Sequence, residues 1–191
     1  MSSRFADSVA LAILRIGSRA EGARRDSRLE GEVVALFDQF REPLLRYLST
    51  FGLEMADRED VIQETFLALF QHLQRGKSRE NLRAWLFRVG HNIALKRRLQ
   101  NRRQFDGMGG DEIAADPALG PERQALEGEK RERLFAVVAA LPELDRRCLF
   151  LRAEGLRYRE IASVLEMSLG AVSLSLSRSV ARMTRAVERC I

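Results

Sequence analysis

Three polar side chains, Arg88, Asn92 and Lys96, recur at i, i+4 and i+8, so they form one stripe if residues 82–99 are helical. Arg and Lys hold phosphates, and an Asn amide both donates and accepts hydrogen bonds. Asp60, Gln63 and Glu64 fall together on a helical wheel drawn over 59–74, opposite Ile62, Phe66, Leu69 and Leu73. A basic partner or plain solvent satisfies such an acidic face equally well. Near the end of the chain, Ala171, Leu174, Ser175, Arg178, Arg182 and Arg185 share one side of a helix. Val172, Leu176, Val180, Met183 and Val187 share the side expected to face the core.

No constellation for catalysis accompanies these groups. His72 and His91 lack the spacing of metal ligands, and neither Cys148 nor Cys190 has a histidine partner nearby in sequence. A phosphate-binding glycine loop is absent. No catalytic residue, metal site or cofactor is expected. His91 reads as a surface residue close to the basic stripe, and Cys148, inside an apolar run, reads as core.

The elements that must hold these groups are helices. Apolar positions at Leu29, Val33, Leu36, Phe37, Phe40, Leu44, Leu45 and Leu48 mark a helix over 29–51, which Pro43 is expected to kink or restart. A second runs over 59–74, and Arg75 to Ser78 forms a loop. A third spans about 82–99, with Leu82, Leu86, Val89 and Ile93 inward and Trp85 beside them. From Gln104 to about Gly128 the pattern breaks into an acidic stretch punctuated by Gly107, Gly109, Gly110, Pro117, Gly120 and Pro121, which reads as a linker. Beyond it, Pro142 opens a helix and Gly155 closes it. A short helix carrying Ile161, Ala162 and Leu165 follows, then a turn at Met167 and Ser168, where Ser168 can cap the last helix. Ala162 is small enough for two helices to cross closely. This is helix-turn-helix spacing, whose second helix can enter the major groove of DNA. The predicted fold is all-α: two small helical domains, over 30–103 and 131–191, joined by a flexible acidic linker over 104–130.

Composition agrees. The 191 residues are 46% hydrophobic and 31% charged, enough to build cores. The net charge of +5 is unevenly spread: residues 77–103 carry nine Lys and Arg against one Glu, whereas 31–76 and 104–130 are acidic. Such a basic block attracts phosphate backbones by releasing condensed counterions. Two cysteines cannot build a disulfide framework, and no apolar run spans a bilayer, so no integral membrane segment is expected. The run from Val9 to Leu14 follows Asp7 and makes a poor secretory leader. These features predict a soluble cytoplasmic protein. Residues 1–29 form an extension with a stripe at Phe5, Val9, Ala12, Ile13 and Ile16, whose role the sequence does not reveal.

The stretch from Asp57 to Phe70, DREDVIQETFLALF, followed by Arg83 to Ala94, RAWLFRVGHNIA, resembles the second region of bacterial sigma factors. More narrowly it is similar to the extracytoplasmic-function (ECF) subgroup of the sigma-70 family. Leu141-Pro142, Leu149 to Arg152, Gly155-Leu156 with Tyr158, Glu160 to Ala162 and Ser168 to Val172 resemble that family's fourth region. The resemblance implies an initiation subunit of RNA polymerase, without an enzymatic activity of its own. The acidic helix, through Asp60, Gln63 and Glu64, would dock on the clamp helices of the largest core subunit. The loop at Gly76, Lys77, Ser78, Arg79 and Asn81, with Arg88, Asn92, Lys96 and Arg97, would hold the melted strand of the −10 element. The C-terminal domain would meet the polymerase flap region and read the −35 element through Arg157, Tyr158, Arg159, Ser168, Ala171, Ser173, Leu174, Ser175, Arg178 and Arg182. The linker would thread past the active-site cleft towards the RNA exit path. An anti-sigma factor covering these surfaces is the implied regulator.

One departure stands out. Family members commonly carry Lys or Arg where this chain has Ser173 and Ser175, and a further basic residue at Val180. Fewer charges mean fewer phosphate contacts and weaker, less salt-sensitive binding. Serines still meet either base type, and Leu174 can touch a thymine methyl. Arg157 and Arg159 can compensate at the start of the preceding helix, although Arg157 replaces the usual Ser/Thr cap. A helix-turn-helix regulator that never joins polymerase, and a sigma-like decoy that sequesters a regulator, are the two rival readings.

Overall fold

The computed structural model describes residues 20–105 and 134–188. The stripe from Phe5 to Ile16, the Gly/Pro punctuation of the linker and Cys190 lie outside them. The chain divides into two compact units, Met1–Gln104 and Phe105–Ile191. All regular structure among the described residues is helical.

The first unit contains α1 (Ala20–Leu48), a 3-10 turn (Ser49–Phe51), α2 (Met55–Gln74) and α3 (Leu82–Phe105). Helix α1 buries Leu29, Val33, Phe37, Phe40, Leu44, Leu45 and Leu48, while Leu36 is only half-buried. It runs through Pro43 without ending there. Proline removes one backbone donor, but the buried side chains Leu44, Leu45, Tyr47 and Leu48 that follow anchor the next turn. Ile62, Phe66, Leu69 and Leu73 of α2 are buried as expected, and Phe37 meets Phe66 edge-on at 5.0 Å between ring centroids. Gly76, at φ 67°, ends α2 in a left-handed conformation. The amides of Gly76 and Lys77 there bond back to Leu73 and His72 carbonyls at 2.9 and 3.2 Å, which satisfies the orphan acceptors of the last turn.

Helix α3 is rotated relative to expectation. Its buried residues are Leu86, Phe87, Gly90, His91 and Ala94, whereas Leu82, Val89 and Ile93 are only half-buried. At 100° per residue this turns the core face by about 100° from the Leu82–Ile93 stripe. Two residues, Gly90 and His91, mark the turned face. Gly90 faces the neighbouring helices: a Cβ placed on it would lie in ordinary contact, 3.4 Å from Thr65 Oγ1 and 3.5 Å from Leu44 Cδ2. His91, expected at the surface, is buried: its Nδ1 is hydrogen-bonded to the Tyr47 hydroxyl at 2.7 Å, and its ring packs against Phe51. A satisfied imidazole costs little to bury.

In the second unit, a helical segment at 134–139 precedes α4 (Glu143–Ala153), α5 (Tyr158–Leu165) and α6 (Leu169–Glu188). Pro142 stands just before α4, and Gly155, at φ 85°, ends it. The amides of Gly155 and Leu156 bond back to Arg152 and Leu151 at 3.0 and 3.1 Å. Ser168 Oγ accepts from the Ala171 amide at 3.2 Å and caps α6. Helices α5 and α6 are bent by 104° about that turn, within the range of a helix-turn-helix. Leu151, Leu156, Ile161, Val164, Val172 and Leu176 form the core with Cys148.

Candidate binding surfaces

On α2, Asp60 and Glu64 are exposed and Gln63 is half-buried. Leu67 and Gln71, both exposed, continue the same side of the helix. Asp57, which the sequence reading passed over, joins this face by its i, i+3, i+7 spacing with Asp60 and Glu64. Arg97 of α3 lies among all three, with nitrogens 3.8 Å from Asp57, 3.6 Å from Asp60 and 3.0 Å from Glu64. Asn101 donates to Asp57 at 2.7 Å. Arg97, expected with the −10 residues, thus lies beside the acidic face of α2.

Arg88, Asn92 and Lys96 are all exposed. With the core face centred between Phe87 and Gly90, the stripe points about 180° away from it rather than beside it. The rotation of α3 thus presents these three side chains more fully to solvent. The preceding loop, 75–81, is exposed and locally pinned. Ser78 Oγ accepts from the Glu80 amide at 3.1 Å, the Ser78 carbonyl lies 3.0 Å from His72 Nε2, and Asn81 takes φ 54° ahead of α3. His72 in turn packs on Trp85, with ring centroids 4.7 Å apart. Arg79 donates to both carboxylate oxygens of Glu32 on α1 at 3.0–3.3 Å. Its guanidinium ties the loop to α1, a role no local sequence pattern reveals because its partner is 47 positions away. Gly76 and Lys77 are exposed at the loop's start.

In the second unit, Arg157, Tyr158 and Arg159 are exposed at the start of α5. Arginine has no acceptor with which to cap that helix, and the Glu160 carboxylate instead accepts from the Arg157 amide at 2.7 Å. The Arg152 guanidinium lies over the Tyr158 ring at 5.7 Å. On α6, Ser173, Leu174 and Arg182 are exposed and Ala171 is half-buried. Ser175 and Val180 exchange their expected places: Ser175 is 1% exposed and Val180 52%. The reason is Asp145. This buried carboxylate on α4 accepts from Ser175 Oγ at 2.8 Å and from Arg178 at 3.2 Å, drawing that side of α6 inward. Ser179, also buried, bonds its own helix at the Ser175 carbonyl. Arg178 remains 54% exposed, so Asp145 fixes one end of its guanidinium and leaves the rest to solvent. Burial pushes the Cys148 thiol above its ordinary value of 9.0; the Ser175 hydrogen bond lowers it and the Asp145 charge raises it.

Residues 36–104 match the family model of sigma-70 region 2, and residues 131–183 match that of sigma-70 region 4. The RNA polymerase sigma factor CnrH of Cupriavidus metallidurans is 30% identical over 174 residues, covering 86% of this chain and 90% of CnrH. The chain belongs to the sigma-70 family, in its ECF subgroup.

The ECF RNA polymerase sigma-E factor of Escherichia coli K12 is 29% identical over 133 residues, 64% of this chain and 70% of its own. A probable RNA polymerase sigma factor of Xanthomonas campestris, RfaY, is 34% identical over 131 residues. The match covers 66% of this sigma factor and 33% of RfaY, so the chain spans about a third of that relative. In fold, the sigma factor is similar to CnrH in complex with the cytosolic domain of CnrY, with a TM-score of 0.55 at 22% identity over 95% of this chain and 96% of that one. RpoE of Bartonella quintana in complex with the anti-sigma factor NepR gives 0.56 at 21%, over 80% of this chain and 96% of that one. Two structural partners escaped the sequence reading of this sigma factor, Glu32 and Asp145. Both act through tertiary pairing that no period in the chain encodes.

Proposed function

We propose that this sigma factor directs core polymerase to specific promoters and promotes their opening, with residues 30–103 and 131–191 as its two working domains and 104–130 as the linker between them. The carrying observation is the exposure of Arg88, Asn92 and Lys96 on the side of α3 turned away from its core. An unstacked base costs a few kcal/mol to extrude, offset when its edge meets Asn92 and its phosphates meet Arg88 and Lys96. Lys77, Ser78 and Asn81 supply further donors on the loop. The acidic face of Asp60, Gln63 and Glu64, with exposed Leu67, docks on the clamp helices of the largest core subunit. Helix α6 reads the −35 element through Ser173, Leu174, Arg178 and Arg182, with Arg157, Tyr158 and Arg159 on the flanking backbone. Ser168 and Ala171 position the end of α6, and the second domain also meets the flap region. Catalysis belongs to the polymerase, and the complex works in the cytoplasm. An anti-sigma factor covering these faces is the expected regulator, supported by the complexes of CnrH and RpoE.

The test is reconstituted transcription from purified chain and bacterial core polymerase on fragmented genomic DNA, with 5′ ends mapped. Discrete starts sharing upstream and downstream motifs are expected, and charge reversal at Arg88 and Lys96 should abolish them while core binding persists. Core binding without any starts would identify a decoy. Duplex binding without core binding would identify an ordinary helix-turn-helix regulator.

A further inference from the structure

Arg97 belongs to the most basic segment of the chain, yet it serves the opposite surface. Its guanidinium donates to Glu64 at 3.0 Å, lies 3.6 Å from Asp60 and 3.8 Å from Asp57, and its side chain is 27% exposed. Asp60 and Glu64 keep 54% exposure each. One cation thus cancels one of three negative charges while leaving the carboxylates within reach of a partner.

From this geometry we infer that Arg97 is a built-in counter-ion that attenuates docking of the acidic face, and not a DNA contact. The inference rests on the docking role proposed for Asp60, Gln63 and Glu64. A partner Lys or Arg that engages Glu64 must either displace Arg97, breaking its hydrogen bond, or join a second cation in the same cluster. Both oppose association. Because the carboxylates are half exposed, solvent screens the contest, and the effect is graded and salt-dependent. Charge at such a face acts chiefly on encounter rate. The Asn101 hydrogen bond to Asp57 holds the more buried end of the cluster in place without Arg97.

Arg97→Gln deletes the charge and keeps an amide that can still donate to Glu64. Affinity of the full chain for core polymerase is measured at low and high salt, and capture of −10 single strand is measured on the assembled holoenzyme. Arg97→Gln should bind core about two- to fivefold tighter at low ionic strength, with the gap closing as salt rises. Arg97→Lys should restore the wild-type affinity. Arg28→Gln, on exposed α1 surface, makes the same change in net charge and should give no gain. Equal or weaker core binding by Arg97→Gln, with its helical spectrum intact, overturns the inference. Loss of strand capture at unchanged core affinity also overturns it and returns Arg97 to the DNA. If Arg97→Gln loses helical signal, Arg97→Met, which keeps the aliphatic stem, is judged by the same criteria. Asp60→Ala with Gln63→Ala is measured in parallel. Unchanged core affinity in that pair refutes the docking role itself, whereas weakening there without a gain from Arg97→Gln refutes only the counter-ion.

Discussion

Replacing Ser175 by alanine separates two roles that the sequence alone conflates. On the outward side of a recognition helix this hydroxyl would touch a base. In the structure it is buried and donates to Asp145 at 2.8 Å. A hydrogen bond to a charged acceptor contributes about 1.5–3 kcal/mol. Asp145 keeps its contact with Arg178 at 3.2 Å in the variant, so the lower end, about 1.5 kcal/mol, is expected for Ser175→Ala. Asp145→Ala does more. It strands the Ser175 hydroxyl in the core at about 1–3 kcal/mol. It also removes a carboxylate from the first turn of α4, worth about 0.3–1 kcal/mol. The Arg178 pair adds at most about 1 kcal/mol because that side chain is half in water. A loss of about 1.5–5 kcal/mol follows. Since the first unit has its own core, the readout is hydrogen exchange of α6 amides in the full chain, not a global melting curve. The doubly substituted chain should show coupling of about 1–2 kcal/mol. Unchanged α6 protection in Ser175→Ala, together with weaker duplex binding, would refute the assignment and return Ser175 to the DNA surface.

Four further outcomes are expected. Tyr47→Phe deletes the buried hydroxyl paired with His91 and should cost about 1–2 kcal/mol, read as faster amide exchange in α1 and α3. Glu166→Gly relieves a left-handed residue at φ 53° and should stabilise the second unit by about 0.5–1 kcal/mol, seen as slower exchange in α5. The Cys148 thiol, buried and raised above 9.0, should resist alkylation at neutral pH until the second unit opens. Its stabilising contribution is present below the unfolded thiol's pKa and falls as pH rises through the higher folded value, so alkaline titration should loosen this unit, with exchange-corrected α4 protection as the check. Finally, Asp60→Ala with Gln63→Ala should weaken core binding while leaving the helical spectrum unchanged; undiminished affinity would remove these residues from the docking face.

Much of the architecture is written in local chemistry. Leu29 to Leu48 and Ile62 to Leu73 bury where their spacing puts them, because a helix converts a period near 3.6 into one wet and one dry side. Gly76, Gly155 and Ser168 end or begin helices as expected, since a left-handed φ and an acceptor side chain act within a few residues. The exposed Arg88, Asn92 and Lys96 follow from the same short-range rule.

What the chain could not announce locally is which residue answers which across the fold. Helix α3 is turned by about 100° with Gly90 facing its neighbours and Tyr47 satisfying the buried His91, and neither is visible in a hydrophobic period that scores glycine and histidine as outward. Ser175 went inside because Asp145, 30 positions earlier, waits there as an acceptor. Arg79 and Arg97 pair with Glu32 and with Glu64 of α2, partners that lie 47 and 33 positions away in the chain. Sequence alone determined the helices and their order, the ends marked by Gly76, Gly155 and Ser168, and the family. The first helix begins at Ala20 and the third runs to Phe105, beyond the periodic apolar stretches. Tertiary structure decided the pairing of buried and half-buried polar groups, because such a group settles where its hydrogen-bonding partner is, and that partner is set by how helices pack.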